Sequence, residues 1–308
     1  MKLLFMGTPD FAVPSLDALV EAGHEILAVY TQQDKPKGRK MILTPPPVKV
    51  RALELGLPVY QPASLKNEEV WNEVKSFGAD CVVVAAYGKI FPREMLDIPR
   101  YGFINVHSSL LPRFRGAAPI NWAILSGDKK TGVSIMQLDE GIDTGDVFYF
   151  AETDIDPNET AEQLHDRLAQ MGGELLVSVL RKVEDGTATL TKQDESKSCY
   201  APMLDKALGM IDWTASAETV HNKVRGLQPW PVASASLDGT RLRIHKTYVS
   251  DVSGKPGEVV CLSPFTVACG EGSVVIEELQ ADGGKRMKAS DYFRGHPVGL
   301  GTLFDLSF

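Results

Sequence analysis

Residues 81–107 read Cys81-Val82-Val83-Val84-Ala85-Ala86-Tyr87-Gly88-Lys89-Ile90, then Phe91 to Arg100, then Tyr101-Gly102-Phe103-Ile104-Asn105-Val106-His107. Two apolar runs stand in this stretch, Cys81 to Ala86 without a break and Phe103 to Val106 interrupted only by Asn105. A strand with one wet face would alternate; an unbroken run bounded by glycine or proline is the mark of a strand covered on both faces. The pattern recurs toward the amino terminus at Leu3 to Met6, Glu25 to Tyr30 and Leu57 to Tyr60. Helical stretches separate the runs, among them Val48 to Leu55 and Glu68 to Phe77, the latter closed by Gly78. Strands and helices in alternation predict an α/β fold with a doubly wound, mostly parallel sheet.

Further along, Leu164, Leu168, Met171, Leu175 and Val179 recur at spacings of three and four, which marks the apolar face of a long helix. Periodicity then fades, and residues rich in Thr, Ser, Lys, Asp and Glu read as a linker. The expected division is a first domain over 1–187, a linker over 188–206 and a second domain over 207–308. A short helix around Ala217 to Arg225 opens the second domain. It is followed by β-rich stretches at Val232 to Leu237, Leu242 to Val249, Gly257 to Cys261 and Ser273 to Leu279. Turns at Asp238-Gly239, Ser253-Gly254 and Asp282-Gly283-Gly284 separate them, and a small antiparallel β-barrel is the packing that leaves no open edge.

Composition agrees with two domains. At 308 residues, 44% hydrophobic and 23% charged, the chain exceeds the size at which single cores usually split. Its apolar runs are too short for a membrane span or a signal-peptide core, so a cytoplasmic protein is expected. Cys81, Cys199, Cys261 and Cys269 are scattered, without zinc-ligand spacing, and no metal is expected. A net charge of −8 argues against non-specific coating of nucleic acid but leaves room for a local basic patch. The turn Gly7-Thr8-Pro9-Asp10-Phe11 lacks the glycines of a dinucleotide fingerprint, which argues against a nicotinamide dehydrogenase.

The chemistry concentrates after Tyr101. Asn105 and His107 are two apart on a strand, so both side chains project from one face near its carboxyl end, where open α/β sheets bind ligands. An amide can donate to an oxyanion, and an imidazole can carry a proton near neutral pH. Asp143, on a glycine-flanked loop, can return to orient that imidazole. Acyl transfer to an amine needs these functions and no nucleophilic serine or cysteine. His107 alone could equally be a hydrogen-bonded core histidine, and residue types do not identify the group transferred.

Asn105-Val106-His107-Ser108-Ser109-Leu110-Leu111-Pro112, continued by Arg113-Phe114-Arg115-Gly116-Ala117-Ala118-Pro119-Ile120, resembles the signature of the folate-dependent formyltransferases. Asp143, within Asp139-Glu140-Gly141-Ile142-Asp143-Thr144-Gly145, matches the third member of that family's catalytic set. Met6-Gly7-Thr8-Pro9-Asp10-Phe11-Ala12, Ile211-Asp212-Trp213 and Gln228-Pro229-Trp230-Pro231 extend the resemblance over nearly the whole chain, toward the branch that formylates charged tRNA. Val232 departs from it, since the family commonly has glycine there.

The resemblance implies 10-formyltetrahydrofolate as formyl donor and initiator methionyl-tRNA as acceptor. It implies a donor cleft built from Ala86, Tyr87, Gly88, Lys89 and Ile90, from Ser109, Leu110, Leu111 and Pro112, and from Glu140, Gly141, Ile142 and Thr144. A basic insertion with Lys35, Lys37, Arg39 and Lys40 lies where the family places a tRNA-contacting loop; charge alone would fit a solvated loop as well. The second domain resembles an oligonucleotide-binding barrel, made locally basic by Lys206, Lys223, Arg225, Arg241, Arg243 and Lys246, which also fit ordinary surface charge. Trp122, Trp213 and Trp230 are expected to pack. Formyl transfer to an amino-sugar nucleotide, hydrolysis of formyltetrahydrofolate and a non-catalytic RNA-binding role are the alternatives.

Overall fold

The structure, a computed structural model, describes residues 1–38 and 40–305. The chain forms two compact units. One comprises residues 1–119, 131–153 and 165–201; the other comprises residues 120–130 and 154–164 and the chain from Pro202 onward.

The first unit is built on β1 (Lys2–Gly7), β2 (Glu25–Tyr30), a hairpin of β3 (Lys35–Lys37) and β4 (Ile42–Thr44), β5 (Val59–Tyr60), β6 (Cys81–Ala85), β7 (Phe103–His107), a short β8 (Arg115–Gly116), β9 (Lys130–Gln137), β10 (Val147–Asp154) and β11 (Tyr200–Ala201). Seven of these make one sheet in the order β10-β9-β7-β6-β1-β2-β5. From β7 through β5 neighbouring strands are parallel, and β9 joins β7 antiparallel. The unit's helices are α1 (Val13–Glu21), α2 (Pro47–Glu54), α3 (Glu68–Ser76), α4 (Arg93–Leu96) and most of α6 (Ala161–Glu184), while α5 (Pro119–Leu125) falls almost wholly in the other unit. The continuous apolar runs are the central strands, and Leu3, Leu4, Phe5 and Met6 of β1 are all fully buried. Leu4, Met6, Val82, Val84 and Phe103 pack with Val74 of α3 and Met95 of α4 on one face of the sheet.

The apolar stripe of α6 is rotated from the one the sequence spacing suggests. Met171 and Leu175 are only partly buried, whereas Leu168, Gly172, Gly173, Leu176, Val179 and Leu180 are buried. The two glycines account for the rotation, because without side chains the helix backbone itself meets its neighbours. A Cβ on Gly172 would stand 2.8 Å from Val106 Cγ1, and one on Gly173 would stand 2.9 Å from the Pro14 carbonyl oxygen. Gly173→Ala is therefore expected to lower stability by about 1–3 kcal/mol through overpacking against rigid backbone, despite the better helix propensity of alanine. The midpoint of urea denaturation reads this directly.

The second unit carries α7 (Ala217–Gly226) and α8 (Ala289–Gly295) on an antiparallel sheet of β12 (Ala233–Leu237), β13 (Thr240–Ser250), β14 (Val259–Leu262), β15 (Phe265–Ala268), β16 (Ser273–Ala281) and β17 (Met287–Lys288). The order is β12-β13-β16-β15-β14, with β17 beside β16. The edges are joined by irregular chain. Near β14, Val259 N donates to Thr302 O and Phe304 N donates to Gly257 O, while Asp305 N donates to Ser236 O of β12. Trp213, Val220, Ile244, Val267, Leu279 and Phe304 belong to the enclosed core. Strand β15 went unread in the sequence because it is four residues long and follows directly on Ser263-Pro264.

The basic residues of this unit are largely engaged within it. Arg225 is buried and donates to Asn222 and to the carbonyls of Asp156 and Glu159; Lys223 donates to Met210 O. Arg243 pairs with Asp282, and Lys246 with Glu277. Trp213 packs as expected, whereas Trp230 is 50% exposed. Among the described residues no helix is long and apolar enough to cross a membrane.

Candidate active site

Asn105 and His107 stand on the face of β7 that also carries Phe103, with His107 as the strand's last residue. Asn105 is 8% exposed and His107 6% exposed. Pairing with β9 sets Met136 beside Asn105 and Ser134 beside His107. Among the described residues the Asn105 amide has no hydrogen-bond partner. Its polar atoms still reach solvent, so the amide is open to a ligand or a water.

The imidazole is fixed from one side. His107 Nε2 lies 2.9 Å from the Phe114 carbonyl oxygen, which can only accept, so Nε2 carries the hydrogen and Nδ1 is the free nitrogen of the neutral ring. Asp143 faces that nitrogen, with Oδ1 3.6 Å from Nδ1, wider than a hydrogen bond. Its other oxygen, Oδ2, accepts from Gly116 N at 2.8 Å. The structure thus brings the three reacting candidates together at the end of β7.

Backbone strain collects around them. Ala86 after β6, Phe114 beside His107, and Asp143 have φ of 45°, 57° and 54°, in the left-handed region that non-glycine residues seldom occupy. Each such residue costs roughly 1–3 kcal/mol and persists only where its surroundings fix it. For Asp143 the surroundings are explicit. The Asp139 carboxylate accepts from Gly141 N and from the Thr144 hydroxyl, which makes a tight turn, and the Gln193 amide donates to the carbonyls of Asp143 and Gly145.

The expected donor residues divide into lining and support. Ile90 (72% exposed), Gly88, Ala86, Glu140, Gly141 and Ile142 are exposed and able to meet a ligand. Ser109 is fully buried, with its hydroxyl donating to Arg113 O and its carbonyl accepting from the Ser134 hydroxyl, so its side chain is a staple of the turn. Thr144 is held by Asp139, and the Lys89 ammonium donates to the carbonyls of Pro62 and Ala63. Burial, then the nearby charge of Lys35, lowers the Lys89 pKa. Tyr87 is buried among the core aromatics, and its hydroxyl, without a partner among the described residues, is pushed up to about 12 by burial.

A cleft of about 700 Å³ is lined by Arg93, Tyr101, Gln137, Asp139 and Glu140, among others; a second of about 600 Å³ is lined by Leu110, Leu111, Pro112, Arg113 and residues 196–199. Both fall in the range of small-molecule sites. Neither is lined by Asn105, His107 or Asp143: the first lies beside Tyr101 and Gly102, at the end of β7 opposite His107, and the second beside the 110–113 turn that follows His107. Arg93, Tyr101 and Gln137 went unread in the sequence, where nothing in their spacing distinguishes them from surface residues.

The basic insertion is the hairpin β3–β4, not an irregular loop. Lys37 pairs with Ile42, and Lys35, Lys37 and Lys40 are exposed; Arg39 lies outside the described residues. Met41, Ile42 and Leu43 beside them are exposed as well, which the charge pattern did not suggest. At the hairpin's foot Asp34 accepts from Lys49 and Gln61, and these bonds hold its carboxyl below the usual carboxylate range.

The chain matches a family model described as formyl transferase over residues 1–180 and one described as formyl transferase, C-terminal domain, over residues 203–297. Among curated relatives, the methionyl-tRNA formyltransferase of Geobacter metallireducens is 47% identical over 297 residues, 96% of each chain. That of Clostridium novyi is 49% identical over 308 residues, 98% of this chain and 99% of its own. Among solved structures, the N-formyltransferase from Helicobacter canadensis in complex with folinic acid and dTDP-3-aminofucose is similar with a TM-score of 0.70 at 19% identity, covering 93% of this chain and all of its own. HypX from Aquifex aeolicus in complex with tetrahydrofolic acid gives 0.66 at 18% identity, covering 97% of this chain and 48% of its own. At those identities the solved structures establish a shared fold.

Proposed function

Because the chain belongs to the formyl transferase family, we propose that it transfers a formyl group from 10-formyltetrahydrofolate to the α-amine of initiator methionyl-tRNA. The observation that carries the reading is the unpartnered Asn105 amide beside an imidazole whose free nitrogen faces a carboxylate. The near-full-length likeness to methionyl-tRNA formyltransferases favours a charged tRNA over an amino-sugar nucleotide or water as acceptor.

The folate donor supplies the formyl carbon as electrophile. The Asn105 amide donates to the formyl oxygen as negative charge gathers there, a contribution that grows toward the transition state. His107 Nδ1 takes the proton released by the attacking amine, since Nε2 is committed to Phe114 O, and passes it to N10 of the folate as the bond from N10 to the formyl carbon breaks and tetrahydrofolate leaves. Asp143 stands beside the positive charge that this transfer creates. The exposed residues of the 86–90 and 140–142 loops, with the cleft beside Leu110, Leu111 and Pro112, offer the surface on which the folate is held.

The basic insertion with Lys35, Lys37, Arg39 and Lys40 grips the acceptor end of the tRNA, and the β unit from Pro202 supports it by shape and phosphate contacts. Replacing these four residues with glutamine is expected to weaken tRNA binding and to flatten its dependence on salt, because fewer counterions are released per complex. Filter binding across a salt series reads both quantities; an unchanged affinity and slope would reduce the hairpin to ordinary surface.

The activity itself is tested by supplying the folate donor with charged initiator and elongator methionyl-tRNA and assaying formylmethionine on each. Formylation of the initiator species is expected. Formylation of neither, with an amino-sugar nucleotide accepted instead, would reassign the acceptor.

A further inference from the structure

Gln193 lies in the stretch read from sequence as a linker, yet it reaches the candidate catalytic loop. Its Nε2 donates to Asp143 O at 2.8 Å and to Gly145 O at 2.7 Å. Its Oε1 accepts from Arg115 Nε at 3.0 Å and Nη2 at 2.9 Å. All the strong hydrogen-bonding capacity of this amide is spent on the two segments that frame His107: the loop bearing Asp143 and the stretch from Phe114 to Gly116.

The surrounding chain repeats the arrangement. Thr191 exchanges both backbone hydrogen bonds with Val147, just beyond the Asp143 loop. At the other end, Phe114 N donates to Cys199 Sγ, Arg115 N to Cys199 O, and Ala117 N to Ala201 O. Phe114 supplies the carbonyl that fixes His107, and Gly116 supplies the N–H that fixes Asp143. Residues 191–201 therefore hold both walls, and among the described side chains of this stretch Gln193 alone bonds to both, beside the bond from Gly116 N to Asp143 itself.

Resting on the function proposed above, we infer that Gln193 is a positioning residue: it holds Asp143 in its left-handed conformation so that the carboxylate faces Nδ1 of His107. The amide works as a unit. Glutamate at this position keeps an acceptor for Arg115 but turns an oxygen toward the carbonyls of Asp143 and Gly145, which repel it. Leucine, of similar size, removes every bond and leaves those carbonyls without the amide.

The test is a double-mutant cycle read by steady-state kinetics, with thermal unfolding as control. Gln193→Leu and Gln193→Glu are each expected to lower kcat at least tenfold, with KM for donor and tRNA within about twofold, since misplacement near a reacting group depresses turnover more than binding. In an Asp143→Ala background, where no carboxylate remains to be placed, adding Gln193→Leu is expected to change kcat by less than about twofold. A merely structural role predicts equal losses in both backgrounds, and that result, or wild-type kcat in both single variants, overturns the inference. Gln193→Glu keeps the Arg115 bonds and serves in the cycle should the leucine variant not fold. Wild-type kcat in Asp143→Ala alone would instead remove the site reading on which the inference rests.

Discussion

In an Asn105→Ala variant, kcat falls by ~10² to 10³, the loss typical of one oxyanion donor, while the affinity for the folate donor stays near that of the parent chain. Asn105 has no partner in the described structure, so its removal breaks no internal bond and exposes no buried group. The side chain is short and nearly buried between Val84 of β6 and Met136 of β9, its sheet partners. Truncation there leaves a small cavity at a strand end, and the expected effect on the unfolding midpoint is slight. A kinetic loss at unchanged stability and unchanged donor binding is what separates a transition-state contact from a structural one. Donor titration by calorimetry with single-turnover formylation measures both; near-normal turnover would remove Asn105 from the chemistry.

The parts of this arrangement that were legible from sequence are those with a short-range physical signature. Buried parallel strands announce themselves as apolar runs, unbroken in Cys81–Ala85 and interrupted in Phe103–His107 only by the two site residues Asn105 and His107. A spacing of two on a strand places Asn105 and His107 on one face without reference to any other element. What escaped the reading depends on partners distant in sequence. The 191–201 stretch is polar and aperiodic, which suggests a linker, but its polar groups are satisfied by segments some 50 to 85 residues away. Ser109 looks like a ligand contact because it sits in the signature, and only the three-dimensional turn reveals its hydroxyl bound to Arg113 O. The helix phase of α6 was shifted because spacing rules weigh side chains, and at Gly172 and Gly173 the packed surface is backbone.

The carboxylate at Asp143 gives the second large effect. Asparagine tolerates the left-handed conformation that Asp143 adopts and retains an oxygen able to accept from Gly116 N, so Asp143→Asn preserves loop geometry and removes charge alone. Without the charge, a proton arriving on His107 Nδ1 meets a neutral amide that can turn its NH₂ group toward the same nitrogen. Either orientation of that amide fails. With its oxygen accepting from Gly116 N, its nitrogen faces Nδ1 and occupies the site needed by the incoming proton; turned over, its NH₂ meets the Gly116 N–H and the neighbouring positive charge is no longer compensated. The expected loss in kcat is ~10² to 10⁴, the range of a positioned acid–base contribution, with KM for either substrate little changed. Steady-state kinetics on Asp143→Asn, with a thermal midpoint close to that of the parent chain, decides the matter. Retention of more than about a tenth of parental kcat would place the proton on another path and leave Asp143 as a fastening for Gly116.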